Sequence, residues 1–435
     1  MNMAFGRFAP TVYAPHSPLS RLLAQAGMGL GAGLHPPPVS ERILSTDEPC
    51  IVATKRLVSS VPGTLSLAQG IVHWQPPPSA LKRASEAILQ PSCNSYGPDE
   101  GSPELREALK HKLNSRNGLY DYDVQVTAGA NQAFANVVIS LLDPSDTACL
   151  FVPYYFNHLM AIQMTGGANS VLLGPCDPKT FHPDLEWLAS RLAGPSPPKM
   201  VVLVNPCNPT GVLLSREELD RAVEMCARAG CWLVIDNTYE DFVYGGRKHY
   251  TPGGPHVVHI FSFSKAYGMM GWRQGYIAYP NTENGFLASQ LLKVQDTIPI
   301  CPTQISQEVA LGALDAGPDW VAARVRELDV NRNAILDALS PLGTLGDGIA
   351  GGEGAIYLWA RLPDGCEDDV AVVEWLVRRH KVCLIPGSSC GCPGHVRVAF
   401  ANLVPSICAE AAVRLKKGLE ELVAGCWPPS GPGRL

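Results

Sequence analysis

Between residues 120 and 262, short apolar runs alternate with helix-like stretches, and this alternation constrains the fold more than any other feature of the chain. Val124–Thr127, Thr147–Val152, Met200–Asn205, Cys231–Asp236 and Val257–Ser262 read as strands. Asn131–Leu142 reads as a helix, and Ser215 with Glu218 forms an S-x-x-E capping box that starts another, ending near Gly230. Strands alternating with helices imply an α/β sheet. After Pro318 longer helical runs precede strand-like Ala355–Leu362 and His395–Phe400, as expected of a second, smaller α+β domain. No internal repeat is visible.

The bulk numbers narrow the function classes. A chain of 435 residues is too long for one small core. With 46% hydrophobic and 17% charged residues it has a globular rather than a disordered composition. The net charge of −6 and the lack of a basic stripe argue against nucleic acid as a partner. No apolar run approaches the roughly 20 residues of a membrane span, so no membrane partner is expected. The fourteen cysteines are scattered, which suits reduced intracellular thiols better than a disulfide framework. Cys390, Cys392 and His395 lie close together, but zinc sites usually pair C-x2–4-C with a second ligand pair, so no metal is expected.

Residues 1–40 contain no Asp or Glu and carry Arg7 and Arg21. They read either as an organellar targeting segment or as an unstructured arm. A cytoplasmic location is expected, with plastid or mitochondrion as the alternative if the segment is a transit peptide. Gly27–Ala32 fits a loose G-x-G-x-x-A, but no strand-like run precedes it, so it is not read as a dinucleotide site.

Chemistry concentrates where strands end. Right-handed crossovers place the ends of the 200–205 and 231–236 strands on one sheet edge, where open α/β sheets bind ligands. Asn208, in the turn N-P-C-N-P-T-G, and Asp236 therefore face one crevice, and the strand ending at Phe263 delivers Lys265 there. Ser262 and Ser264 precede Lys265, and Arg273 follows eight residues later. A lysine can form a Schiff base with an aldehyde, and two serines with an arginine can hold a phosphate. Those are the parts needed to carry pyridoxal 5'-phosphate covalently. Asp236 suits a protonated pyridine nitrogen, because opposite charge favours the protonated form. Asn208 and Tyr239 offer donors to a phenolic oxygen. Gly129, Ala130 and Asn131, between a strand and a helix, can present a helix N-terminus to the phosphate. Arg397, in V-R-V-A-F-A, can bind an amino acid's carboxylate bidentately. Taken singly, Asp236 is also a possible helix cap, Lys265 a surface lysine and Arg397 an edge residue. Their combination points to the cofactor.

In order and spacing, N-P-C-N-P-T-G, the D-x-x-Y at Asp236 to Tyr239, S-F-S-K with Arg273, and the late Arg397 resemble fold type I, class I/II aminotransferases. The resemblance covers roughly residues 45–425. L-A-Q-G-I-V-H-W-Q-P-P (67–77), S-Y-G-P-D-E-G (95–101), T-A-G-A-N-Q-A-F (127–134), P-Y-Y-F-N (153–157) and G-G-E-G-A-I-Y-L-W-A (351–360) look like the plant-type aromatic aminotransferases of auxin and phenylalanine metabolism.

That resemblance implies a large domain (91–315) with a mostly parallel seven-stranded sheet flanked by helices. It also implies an N-terminal extension (1–44), an arm with part of the small domain (45–90), a small C-terminal domain (316–425) and a tail (426–435). It places Tyr155 on the pyridine ring, Gly70 by the substrate carboxylate, and Tyr96 at the phosphate of the neighbouring subunit, hence a homodimer with shared active sites. The implied substrates are amino acids, aromatic or methionine, and 2-oxo acids, exchanged by a ping-pong mechanism with Lys265 as general base. The stretch Gln295–Pro302 holds no arginine where dicarboxylate-specific relatives place one, which favours an apolar side chain. Two further readings stay open on sequence: a C–S lyase or aminocyclopropane-carboxylate synthase relative, and a cofactor-binding sensor without turnover.

Overall fold

The computed structural model describes residues 37–282 and 285–425. The expectations for residues 1–36, including Gly27–Ala32, and for the tail from 426 lie outside the described residues.

The chain enters through a helix, Cys50–Ser60, and a short strand β1 (Leu65–Ser66). A helix at Pro78–Ala87 then packs on the Gln304–Asp315 helix, so closely that a Cβ on Gly312 would meet the Ala80 Cα at 2.7 Å. The large sheet follows: β2 (Tyr122–Thr127), β3 (Ala148–Phe151), β4 (Val171–Gly174), β5 (Met200–Val204), β6 (Trp232–Asp236), β7 (Val257–Ser262) and β8 (Gly275–Pro280), in the spatial order β2-β8-β7-β6-β5-β3-β4. Of these seven strands, β8 alone runs antiparallel to its neighbours β2 and β7.

Helices cover both faces, which is why the strands read as nearly unbroken apolar runs. Met200, Val202, Val234 and Ile260 pack with Phe134 and Ile162 on one side. Val201, Leu203, Leu233 and Ile235 pack with Leu188, Leu219 and Cys226 on the other. Alternation along each strand thus supplies two cores. The Arg216–Ala229 helix shows how local chemistry sets an element's ends. Ser215 Oγ accepts from the Glu218 N–H at 3.2 Å, and Glu218 Oε2 accepts from the Ser215 N–H at 2.8 Å. Gly230 stops the helix at φ 64°, where a side chain would be strained.

The smaller domain holds β9 (Thr344–Leu345), β10 (Gly348–Gly351), β11 (Tyr357–Arg361), β12 (Val382–Cys383), β13 (Ile385–Pro386) and β14 (His395–Ala399). Five of these form a sheet in the order β13-β14-β11-β10-β9, while β12 pairs in parallel with β1 and so ties the N-terminal arm to this domain. The long Gly317–Leu339 and Pro405–Val423 helices flank it.

The expected strands and the helix after β2 are present with ends shifted by up to two residues. The strands not anticipated from sequence are the short β1, β12 and β13, together with β4, the antiparallel β8, and the β9–β10 pair. A 3-10 turn, Met270–Trp272, leads into Arg273 and β8 starts two residues later, so its apolar run G-Y-I-A-Y-P looks like the trailing part of the lysine motif. Among the described residues no helix is long and apolar enough to cross a membrane.

Ser215→Ala removes one half of a two-sided cap. It should lower unfolding free energy by about 0.5–2 kcal/mol in urea titrations. Leu233→Ala, in a fully buried position, should cost about 2–5 kcal/mol. Equal losses for the two would contradict this division between cap and core.

Candidate active site

Because β2, β3, β5, β6 and β7 are parallel, their C-terminal ends share one edge, and β8 begins there. Thr127 and Ser262 both pair with Gly275 in register. This edge opens into a cavity of about 270 Å³. Gly70, Ala130, Asn131, Tyr155, Asn208, Asp236, Tyr239, Ser262, Ser264, Lys265, Arg273 and Arg397 line it, so twelve of the fourteen residues singled out from sequence lie in one place. Gly129 adjoins the lining residue Ala130 and packs against the Arg273 guanidinium. Tyr96 does not line this cavity and is 80% exposed.

At one end lies a cradle for an anion. The Ala130–Leu141 helix starts at Gly129 without a side-chain cap, so its first N–H groups are left for another acceptor. Arg273, at φ 51°, crosses this end and donates to the Ala128 carbonyl at 3.2 Å and the Met270 carbonyl at 3.0 Å. The crossing requires glycine: a Cβ on Gly129, whose φ is 83°, would stand 2.3 Å from Arg273 Nη2. Ser262 Oγ accepts from the Ser264 N–H at 3.1 Å, which fixes the turn leading to Lys265.

At the other end Asp236 is 4% exposed. Its carboxylate lies 3.0 Å from His158 Nε2 and accepts from the Thr238 N–H at 2.9 Å. Burial alone would raise its pKa, yet His158 and Thr238 together hold it below the ordinary value. His158 was not picked out from sequence. It lies on the Phe156–Gly166 helix, three residues past Tyr155, and that short spacing behind a strand end was the available signal. Tyr155 receives a hydrogen bond from Asn157 Nδ2 at 3.0 Å.

Lys265 Nζ donates to the Gly70 carbonyl. Burial, then the positive charges of Arg273 and Arg397, bring its amine from the ordinary 10.5 down to about 8. Arg397 is 1% exposed, in β14. It donates to Asn208 Oδ1 and to the Ala68 carbonyl, both at 2.8 Å, and its Nε has no hydrogen-bond partner among the described residues. A buried guanidinium with no carboxylate against it and one nitrogen unpaired is suited to an incoming carboxylate.

Eight further lining residues were not singled out from sequence, Ile51, Lys55, Ile71, Phe156 and Tyr357 among them. Ile51 and Lys55 come from the Cys50–Ser60 helix, far away in the chain. Tyr357, within the quoted G-G-E-G-A-I-Y-L-W-A stretch, places its hydroxyl 2.6 Å from that of Tyr239. Gln295–Pro302 does not line its own chain's cavity. Gln295 is buried under β2, donating to the Val126 carbonyl at 3.1 Å, while Ile298 and Ile300 are exposed. Cys392 Sγ and His395 Nδ1 lie 3.4 Å apart, but among the described residues no group of three or more His, Cys, Asp or Glu is arranged to hold a metal ion.

An uncapped helix start with an arginine, a buried carboxylate and a lysine of lowered pKa in one cavity fit the phosphate, ring nitrogen and aldehyde of pyridoxal 5'-phosphate. With the seven-stranded sheet and the smaller α+β domain, they define a fold type I pyridoxal-phosphate-dependent transferase. Comparison with known proteins agrees. The sequence model of the family "Aminotransferase class I and II" matches residues 62–415. The aromatic aminotransferase ISS1 of Arabidopsis thaliana is 50% identical over 386 residues, covering 88% of this chain and 97% of the plant protein. A probable aspartate/prephenate aminotransferase of Aquifex aeolicus is 32% identical, covering 79% of this chain and 88% of its own. The structure of Thermus thermophilus aspartate aminotransferase with maleate superposes with a TM-score of 0.79 at 26% identity, over 88% of this chain and all of that one. The chain belongs to the class I and II aminotransferases, pyridoxal-phosphate enzymes that exchange an amino group between amino acids and 2-oxo acids.

The lowered Lys265 pKa sets a pH dependence. The apoprotein's amine attacks the cofactor's aldehyde only when neutral, so the rate of cofactor capture should rise with pH and level off above about 8. Stopped-flow absorbance from pH 6 to 10 measures this. A rate still climbing steeply at pH 10 would show an unshifted lysine.

Proposed function

We propose that this aminotransferase takes aromatic amino acids and methionine as amino donors and a 2-oxo acid as acceptor. The observation that carries the reading is that Ile51, Ile71 and Phe156 line the cavity with Arg397, whose Cζ lies 5.8 Å from the Phe156 ring centre. A side chain attached to a carboxylate held at Arg397 meets hydrocarbon there, which favours an aromatic or thioether group over a second carboxylate. Lys55 also reaches this cavity, but it is exposed and can keep its ammonium hydrated. The 50% identical Arabidopsis relative, named an aromatic aminotransferase, supports the same choice.

Each residue then has a task. Arg273, the Ala130 and Asn131 N–H groups, Ser262 and Ser264 hold the cofactor's phosphate, with Gly129 leaving room for the arginine. Asp236, kept ionised by His158, retains the proton on the ring nitrogen. Asn208 and Tyr239 face the phenolic oxygen, and Tyr155 presents its ring to the cofactor ring. When bound, pyridoxal phosphate supplies an electron-withdrawing ring that stabilises negative charge at the substrate's α-carbon. Arg397 takes the substrate carboxylate, and Gly70 leaves space beside it. Lys265 Nζ, whose lowered pKa of about 8 brings its neutral form within reach, removes the α-proton in one half-reaction and delivers a proton to the α-carbon in the other.

We further propose a homodimer whose two sites are shared. Tyr96, exposed on its own chain, would reach the partner's phosphate, and the exposed Ile298 and Ile300 would turn toward the partner's substrate.

Visible absorbance of the holoenzyme should bleach with phenylalanine, tryptophan or methionine and return with phenylpyruvate. Aspartate should act at least about 10-fold more slowly at equal concentration, the factor expected of an unpaired carboxylate against an apolar wall. Faster bleaching by aspartate would overturn the specificity reading and leave the cofactor assignment intact.

A further inference from the structure

Tyr357 joins three segments that are distant in the chain. It lies on β11 of the smaller domain, its hydroxyl is 2.6 Å from the Tyr239 hydroxyl, and Arg397 Cζ stands 4.4 Å over its ring. A Cβ on Gly70 would come within 1.8 Å of the Tyr357 oxygen, so glycine at 70 is what admits this hydroxyl. Tyr357 and Tyr239 are 1% and 3% exposed.

The protons can be counted. Each phenol owns one proton and can accept another. Burial, acting first on both, keeps the two phenols protonated at neutral pH. In the pair as it stands either oxygen can be the donor. Once the Tyr239 hydroxyl donates a hydrogen bond to the cofactor's phenolic oxygen, the contact persists as a hydrogen bond only with Tyr357 as donor. The Arg397 charge over the Tyr357 ring favours that direction, because a nearby cation makes a phenol the better donor.

We infer that Tyr357 is a positioning residue. Its hydroxyl donates to Tyr239, turns the Tyr239 proton toward the cofactor's phenolic oxygen, and strengthens that donation by polarising it. Substrate carboxylate arriving at Arg397 therefore meets the same aromatic ring whose hydroxyl governs the cofactor's oxygen. The inference rests on the placement of that oxygen at Asn208 and Tyr239 proposed above.

The test is a pH titration of visible absorbance for four holoenzymes: wild type, Tyr239→Phe, Tyr357→Phe and the double variant. Phenylalanine at 357 keeps the ring against Arg397 and removes the hydroxyl alone. Loss of a donor to the phenolic oxygen raises the pH midpoint at which the chromophore gives up its proton. Tyr357→Phe should raise the midpoint by roughly half a unit to one unit, the scale expected of cooperative strengthening of one buried hydrogen bond. If Tyr357 acts through Tyr239, the double variant should titrate where Tyr239→Phe does. An unchanged midpoint in Tyr357→Phe, or shifts that add in the double variant, would overturn the inference. An unchanged midpoint in Tyr239→Phe would instead overturn the placement of the cofactor on which it rests.

Discussion

Among the described residues, four basic side chains, Lys55, Lys265, Arg273 and Arg397, and one carboxylate, Asp236, line the cavity. Asp236 is engaged by His158 and Thr238, and Arg397 is met by an amide oxygen and a carbonyl instead of a carboxylate. Positive charge is thus held near the cavity without full compensation, at a desolvation cost of several kcal/mol for a buried ion. Anionic ligands supply what is missing. In the proposed arrangement a phosphate at Arg273 and a carboxylate at Arg397 would each neutralise one centre, and binding to the folded state would stabilise it in turn. Burial first, and then the same field, lowers the Lys265 pKa to about 8, so the charge imbalance that recruits the ligands also helps to ready the nucleophile.

The fold makes this concentration of charge possible. Parallel strands bring their C-terminal ends to one edge, and the residues just past those ends need no regular backbone of their own. Asp236 ends β6, Lys265 follows β7, Asn208 follows β5, and the Gly129 turn follows β2. The antiparallel β8 matters for the opposite reason: it starts at the shared edge, which is how Arg273 comes to face Gly129. Arg397 and Tyr357 arrive from the smaller sheet, and Gly70 and Ile51 from the N-terminal arm, so the cavity closes only where these segments meet.

Much of this was legible in the sequence, because short motifs next to strand ends encode both the turn and its chemistry. The S-F-S-K segment, the capping box at Ser215 and the apolar run before Asp236 needed no long-range information. The unanticipated parts depend on distant pairing. His158 is an ordinary helical histidine until β6 places Asp236 beside it, and Tyr357 is an apolar-strand tyrosine until Gly70 and Tyr239 frame its hydroxyl. The direction of β8 has no local signature, since buried strands of either sense look alike in composition. Gln295–Pro302, noted from sequence for holding no arginine where dicarboxylate-specific relatives place one, lies outside its own chain's cavity.

The central claim is that the sheet edge delivers one lysine, Lys265, to the cofactor. Borohydride reduction of the holoenzyme followed by peptide mass mapping tests it most directly. A single phosphopyridoxyl tag on Lys265 is the predicted result. A tag on Lys55 or another lysine, or none at all, would contradict the account.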